Sequence, residues 1–237
     1  MSKYLAYMVL IATLAFVLSP LASTGFNGFA PDQFPVPQID PPVQPAGYAF
    51  SIWGLIYLWL IVGAVYGISR AAVVPAWQAM RLPLAGSLSI GAFWIAAANT
   101  APVLAMIMIL AMAGLAVVAM LRAGDHLPWM LVRPVALYAG WLTAASGVAI
   151  GVLLGGYAIL SAQAAAIACL VGVLIAALSV QSARPREWGY PAAVIWALAG
   201  VIVQNLSGPN LPVIALAGFG IAALSLRAMI AFKRDAR

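Results

Sequence analysis

In "PAGYAFSIWGLIYLW", residues 45–59, Phe50, Trp53 and Tyr57 recur at spacings that place three rings on one face of a helix, with no charge anywhere in the stretch. A second set, Tyr138, Trp141 and Ala145, shares a helix face further along and ends on a small residue. Rings on two sides of a small-residue gap, with few polar atoms, can stack a flat apolar ligand. Plain core packing is the other use of the same faces.

Other chemistry lacks its residues. The apolar spans contain no Asp, Glu, Lys or His, and only Arg227 lies near the end of one, where it can snorkel. His126, in "RAGDHLPWMLVRP", is expected to pair with Asp125, lipid headgroups or water. One His and one Cys far apart furnish no metal site, and the chain has no Gly-rich phosphate loop with its Lys. An ordinary hydrolase, kinase, metalloenzyme or ion-coupled pump is therefore not expected. No catalytic residue, metal or required cofactor is assigned.

The elements that must position the rings follow from composition. With 65% apolar and 7% charged residues and a mean hydropathy of +1.07, a chain of 237 residues cannot cover itself with polar surface. The apolar runs are too long for barrel strands, so the fold class is an all-α polytopic membrane bundle. Eight spans are expected: 4–21, 48–68, 82–98, 102–121, 135–154, 157–180, 191–206 and 211–232. Spans three and seven are short for a hydrocarbon core of about 30 Å.

Charge supports the count. All eleven cations, among them Lys3, Arg70, Arg81, Arg122, Arg133, Arg184 and Arg186, fall on one side, which predicts cytoplasmic N- and C-termini. The net charge of +6 thus reads as a topology signal, with no nucleic acid as partner and the lipid bilayer as the surroundings. Lys3, the apolar run after it and the small residues of "PLASTG" imitate a signal peptide; a retained helix is the expectation. The first outer loop, with six prolines and Phe26, Phe29 and Phe34, reads as a lid on the outer mouth of the bundle.

Helix rise places Trp53 about 10 to 12 Å below the outer boundary and Trp141 about 10 Å above the inner one. Trp77, Trp129 and Trp188 lie beside Arg or Pro and read as interface anchors. Gly147, Gly151 and Gly155 form a stripe that suits close helix packing.

"GYAFSIWGLIYLWLIVGAVYG" resembles the second-helix signature of the TspO/MBR family, the tryptophan-rich sensory proteins related to the mitochondrial translocator protein. "RPVALYAGWLTAASGVAIG" resembles that family's fifth-helix motif, matched at Tyr138, Trp141 and Ala145. "YPAAVIWALAGVIVQN" is similar to the carboxy-terminal part of longer bacterial members. The resemblance implies a five-helix core over about residues 1–155, with the Pro-rich outer loop at 23–47, and a further three-helix segment with a basic cytoplasmic tail over 156–237. It also implies a bacterial cell membrane location, is compatible with a homodimer, and suggests a receptor or sensor for a tetrapyrrole (porphyrin). The ligand-binding residues it implies are Phe50, Trp53, Tyr57, Trp94, Asn99, Tyr138, Trp141 and Ala145. Light-dependent porphyrin degradation and transport of apolar metabolites are the alternatives. The sequence departs from the family at Ala149, where Asn is usual, and "AFWIAAANTAPV" does not cleanly reproduce the third-helix Asn-Trp signature, although Trp94 and Asn99 are present.

Overall fold

Long apolar runs broken by proline and small polar joints give helices that satisfy their own backbone groups, as a hydrocarbon solvent requires. The computed structural model describes residues 3–22, 26 and 28–233. It has eight α-helices and no strand among them: α1 Lys3–Leu18, α2 Ile52–Ser69, α3 Pro75–Thr100, α4 Pro102–Arg122, α5 Val132–Gly156, α6 Ala162–Ala183, α7 Gly189–Gln204 and α8 Leu211–Lys233. Seven helical segments are long and apolar enough to cross a membrane, and α7, at 16 residues, is a shorter apolar helix. Pro75 and Pro102 open α3 and α4 at first-turn positions, where a missing N–H costs nothing. Ser161 caps α6 by accepting from the Ala164 N–H at 3.2 Å. Arg234, Arg237 and the 23–25 part of the signal-like stretch lie outside the described residues.

The joints fall at two ends. At one, the Gly124 N–H donates to the Ala76 carbonyl at 3.0 Å, and Arg184 pairs with Asp125 at 2.5 Å, so the α2–α3, α4–α5 and α6–α7 joints meet. We call this the basic end. At the other, the segment of residues 28–46 lies across the α3–α4, α5–α6 and α7–α8 joints. Its Val36 N–H donates to the Gly156 carbonyl (2.9 Å), its Ala46 N–H to that of Gly200 (3.0 Å), and the Gln33 side chain to that of Ala98 (2.9 Å). The Asn205 side chain returns a bond to the Pro42 carbonyl at 2.9 Å. The segment's own Phe34 and Val43 are buried. This is the lid.

The axis of the bundle is α5. In its span 72% of the residues are buried, against 22 to 50% in the other spans, and it contacts α2, α4, α6 and α7. Its glycines make this possible. A Cβ on Gly147 would meet Val173 of α6 at 2.3 Å, and one on Gly155 would meet the lid's Gln38 at 2.7 Å.

Three expectations are corrected. The third span begins seven residues before Leu82, because Arg81 does not end it: Arg81 is 1% exposed inside α3 and donates to the carbonyls of Gly67 (3.1 Å), Ala71 (2.9 Å) and Ala72 (2.7 Å). A guanidinium whose two terminal nitrogens donate to carbonyls at and just after the end of α2 can be buried without ending its own helix. Trp77 is no interface anchor; it is 2% exposed, stacks on Tyr66 with ring centroids 5.7 Å apart, and donates to His126 Nδ1 at 3.4 Å. His126 thus faces Trp77, while Asp125 pairs with Arg184. Trp129 and Trp188 do sit at the basic end, flanking the Arg133 guanidinium at 4.1 and 5.6 Å. There burial pushes the Glu187 carboxyl above its ordinary range, although its Oε1 accepts from the Gly189 N–H at 3.0 Å.

Candidate functional site

The lid-side turn Gly47–Ser51 feeds Phe50 and then Trp53 and Tyr57 of α2 toward α5. Trp53 stacks on Tyr57 (centroids 5.3 Å, 28° between planes) and meets Trp141 edge to face at 6.1 Å. Phe50 meets Trp141 likewise at 6.0 Å. Tyr138 stands behind Trp53 at 6.4 Å, fully buried, its hydroxyl 3.0 Å from that of Ser87. The two predicted faces therefore meet within the bundle.

Around them are two cavities. The larger, about 210 Å³, lies among α1 to α5 and is walled by Phe16, Phe26, Phe50, Trp53, Tyr57 and Trp94 with aliphatic neighbours. The smaller, about 50 Å³, lies on the far side of the same rings, between α5, α6 and α7, where Trp141, Ala145, Cys169, Val173, Ala197 and Val201 face it. Phe26, Phe50, Trp53, Trp94 and Ile109 belong to both and form a shared wall. No Asp, Glu, Lys, Arg or His lines either cavity. A third hollow, about 410 Å³ between the lid and Ala158–Ala162, is an open groove without an aromatic residue.

The predicted residues divide accordingly. Phe50, Trp53 and Trp94 line both cavities, Tyr57 the larger, and Trp141 and Ala145 the smaller. Tyr138 lines neither and supports Trp53 from behind. Asn99 lines neither; it is exposed near the end of α3. Trp59 belongs to another cluster, at the basic end, where its N–H donates to the Trp129 carbonyl at 2.7 Å.

Sequence reasoning missed two contributors. Phe16 of α1 touches Trp53 (5.7 Å), Tyr57 (5.3 Å) and Tyr138 (5.7 Å), yet a lone Phe in a uniformly apolar helix gives no signal beforehand. Phe26 packs on Trp94 at 4.7 Å, which brings the lid into the wall; its place among the loop's phenylalanines was the available hint.

Hydrogen bonding separates the indoles. The N–H groups of Trp59, Trp77, Trp94 and Trp196 each donate to a protein acceptor. That of Trp141, 2% exposed, is buried with no acceptor among the described residues. Such an arrangement can stack a planar apolar molecule.

A comparison with protein families finds a match to the profile described as TSPO-like protein over residues 4–230, from the first turn of α1 into the last turn of α8. No curated protein and no solved structure matches the chain.

Proposed function

Because the chain belongs to the TSPO-like protein family and is a multi-pass membrane protein, we propose that it is a receptor for a flat hydrophobic ligand, with a tetrapyrrole as the leading class. The observation that carries this reading is the larger cavity, which has rings on several sides and no charged residue in its walls. Such a lining favours π-stacking and apolar burial over any ionic or metal-centred recognition.

Size adds a requirement. About 210 Å³ is below the roughly 300 to 1,000 Å³ usual for whole-ligand pockets, and the neighbouring chamber adds only about 50 Å³, so a tetrapyrrole must part the Phe50–Trp53 wall, join the two cavities and widen them. Any carboxylates on it must reach water outside the cavities, since no cation faces the cavities to pair with them.

The test is a titration of the purified protein in micelles with protoporphyrin IX, followed by the Soret band and by tryptophan quenching. A saturable one-to-one transition, with a ligand spectrum unchanged after illumination, is expected. Non-saturating partition that Trp53→Ala leaves unaltered would sink the proposal. Light-dependent loss of the Soret band would replace receptor by porphyrin degradation, and counter-flow of labelled ligand in liposomes would replace it by transport.

A further inference from the structure

We propose that the basic end holds a site for the phosphate of an anionic lipid, built from the Arg133 guanidinium and the indoles of Trp59, Trp129 and Trp188. Arg133 stands in the first turn of α5, its guanidinium carbon 4.1 Å from the Trp129 ring centroid and 5.6 Å from that of Trp188. Trp59 of α2 completes the cluster, its ring 5.9 Å from Trp129 and 6.4 Å from Trp188. Stacking on ring faces engages the charge of a guanidinium and none of its N–H donors.

Those donors lack acceptors. Nε and Nη1 are buried without a hydrogen bond, and no described residue accepts from Nη2, the one nitrogen of the group outside that buried set. The residue as a whole is only partly buried, so Nη2 is the donor it presents. A counter-ion is missing too. The neighbouring Arg184 pairs with Asp125, while Glu187 makes no ion pair with Arg133: its Oε1 accepts from the Gly189 N–H, and burial favours its neutral form. A half-buried cation without a partner is unfavourable, and an incoming anion offsets that cost.

Depth selects the anion. A Cβ on Gly63 of α2 would meet the Met130 carbonyl at 2.7 Å, so the joint that leads into Arg133 lies against α2 less than two turns before that helix ends at Ser69. In a spanning bundle this is the border of headgroups and hydrocarbon, where lipid phosphate is the abundant anion. The surroundings suit a ligand with a hydrocarbon part. Trp129 is 56% exposed, and Leu55 and Val62, one turn to either side of Trp59, are exposed on the same face of α2. None of the four residues of the cluster lines either cavity, and the inference does not depend on a tetrapyrrole binding anywhere.

The experiment is native mass spectrometry of the purified full-length protein released from micelles, titrated with dioleoylphosphatidylglycerol or with dioleoylphosphatidylcholine, whose phosphate is compensated by its own ammonium. The first phosphatidylglycerol should bind about tenfold more tightly than the first phosphatidylcholine, the worth of one charge-assisted hydrogen bond. Arg133→Gln should bring the two lipids within about twofold of each other. Arg133→Lys keeps the charge but loses the stacked planar fork, and should leave a preference of about threefold. Arg122→Gln, which removes an exposed cation in the last turn of α4, should leave the preference as in the parent. Inorganic phosphate in millimolar excess should not displace the lipid.

Equal binding of the two lipids by the parent overturns the proposal, as does a preference that survives Arg133→Gln or is unchanged in Arg133→Lys. Should Arg133→Gln fail to fold, the lysine variant decides alone. An equal loss in Arg122→Gln means diffuse attraction to the basic end and overturns the site, and displacement by inorganic phosphate assigns it to a soluble anion instead. Phosphatidylglycerol selectivity in a protein that fails to bind protoporphyrin would remove the receptor reading above and leave this one standing.

Discussion

Trp53→Phe tests the wall between the two cavities most directly, with Trp59→Phe as its control. Trp53 lines both cavities and stacks on Tyr57 at 5.3 Å. Exchanging indole for phenyl keeps a ring but removes about a third of its face, on the order of 40 Å² of ligand contact, worth about 1 kcal/mol at roughly 25 cal/mol/Å². Loss of pre-alignment by the Tyr57 stack adds about 0.5 kcal/mol. A protoporphyrin Kd raised roughly tenfold is therefore expected, read by Soret titration in micelles. Trp59, six residues further on, packs on Trp129 and Trp188 and lines neither cavity, so its replacement should change Kd by less than about twofold. Thermal unfolding of both variants guards against a folding defect. Trp141→Phe should weaken binding too and combine non-additively with Trp53→Phe, since their rings touch at 6.1 Å. Equal losses at positions 53 and 59, or an unchanged Kd at both, refute the assignment of this face to the ligand.

Arg81→Met should lower Tm by roughly 10 °C, because it removes three guanidinium hydrogen bonds, to the carbonyls of Gly67, Ala71 and Ala72, at about 1 kcal/mol or more each; circular dichroism in micelles would read it, and a shift under about 2 °C would count against the capping role. Glu187 has its folded pKa raised by burial, so its neutral form suits the fold: its contribution is fully present below the unfolded carboxyl value of about 4.3 and is lost as pH rises through the folded value. The Tm of Glu187→Gln minus that of the parent should accordingly increase from pH 4 toward neutrality, and a flat difference would contradict it. For topology, Asp40→Cys and Leu160→Cys at the lid end should label from the face opposite to Arg122→Cys and Ser182→Cys in sealed vesicles; labelling of all four from one face would remove the eight-helix crossing.

The bundle was largely legible because hydropathy and charge placement report directly on what a bilayer tolerates, and the span count depends on nothing finer. The meeting of Trp53 with Trp141 was also within reach, since helix rise alone brings them to similar depths. What hydropathy could not see was Arg81. A window scale registers its charge as a boundary, whereas the guanidinium is neutralised in effect by carbonyls supplied from another helix, a tertiary fact. Trp77 was misread for the same reason: its neighbours in sequence are polar, but its neighbours in space are Tyr66 and His126. Phe16, and the place of Cys169 in a cavity wall, escaped the sequence because uniformly apolar helices carry no periodic signal to say which face looks inward. The division of the rings between two cavities depends on how α6 and α7 pack on α5, which no local pattern encodes.

The stitching of the lid bears on time as much as on affinity. Its bonds to Ala98 and Gly156 engage carbonyls in the last turns of α3 and α5, which have no further helical turn to donate to them, and a third bond reaches the Gly200 carbonyl of α7. Lifting the lid uncovers all three together with Phe34 and Val43, so the segment cannot peel away one contact at a time without leaving polar groups bare at the edge of an apolar interior. A ligand beneath it then leaves at the rate of a concerted opening, and its residence time is set by the door, whatever the strength of its hold on the rings.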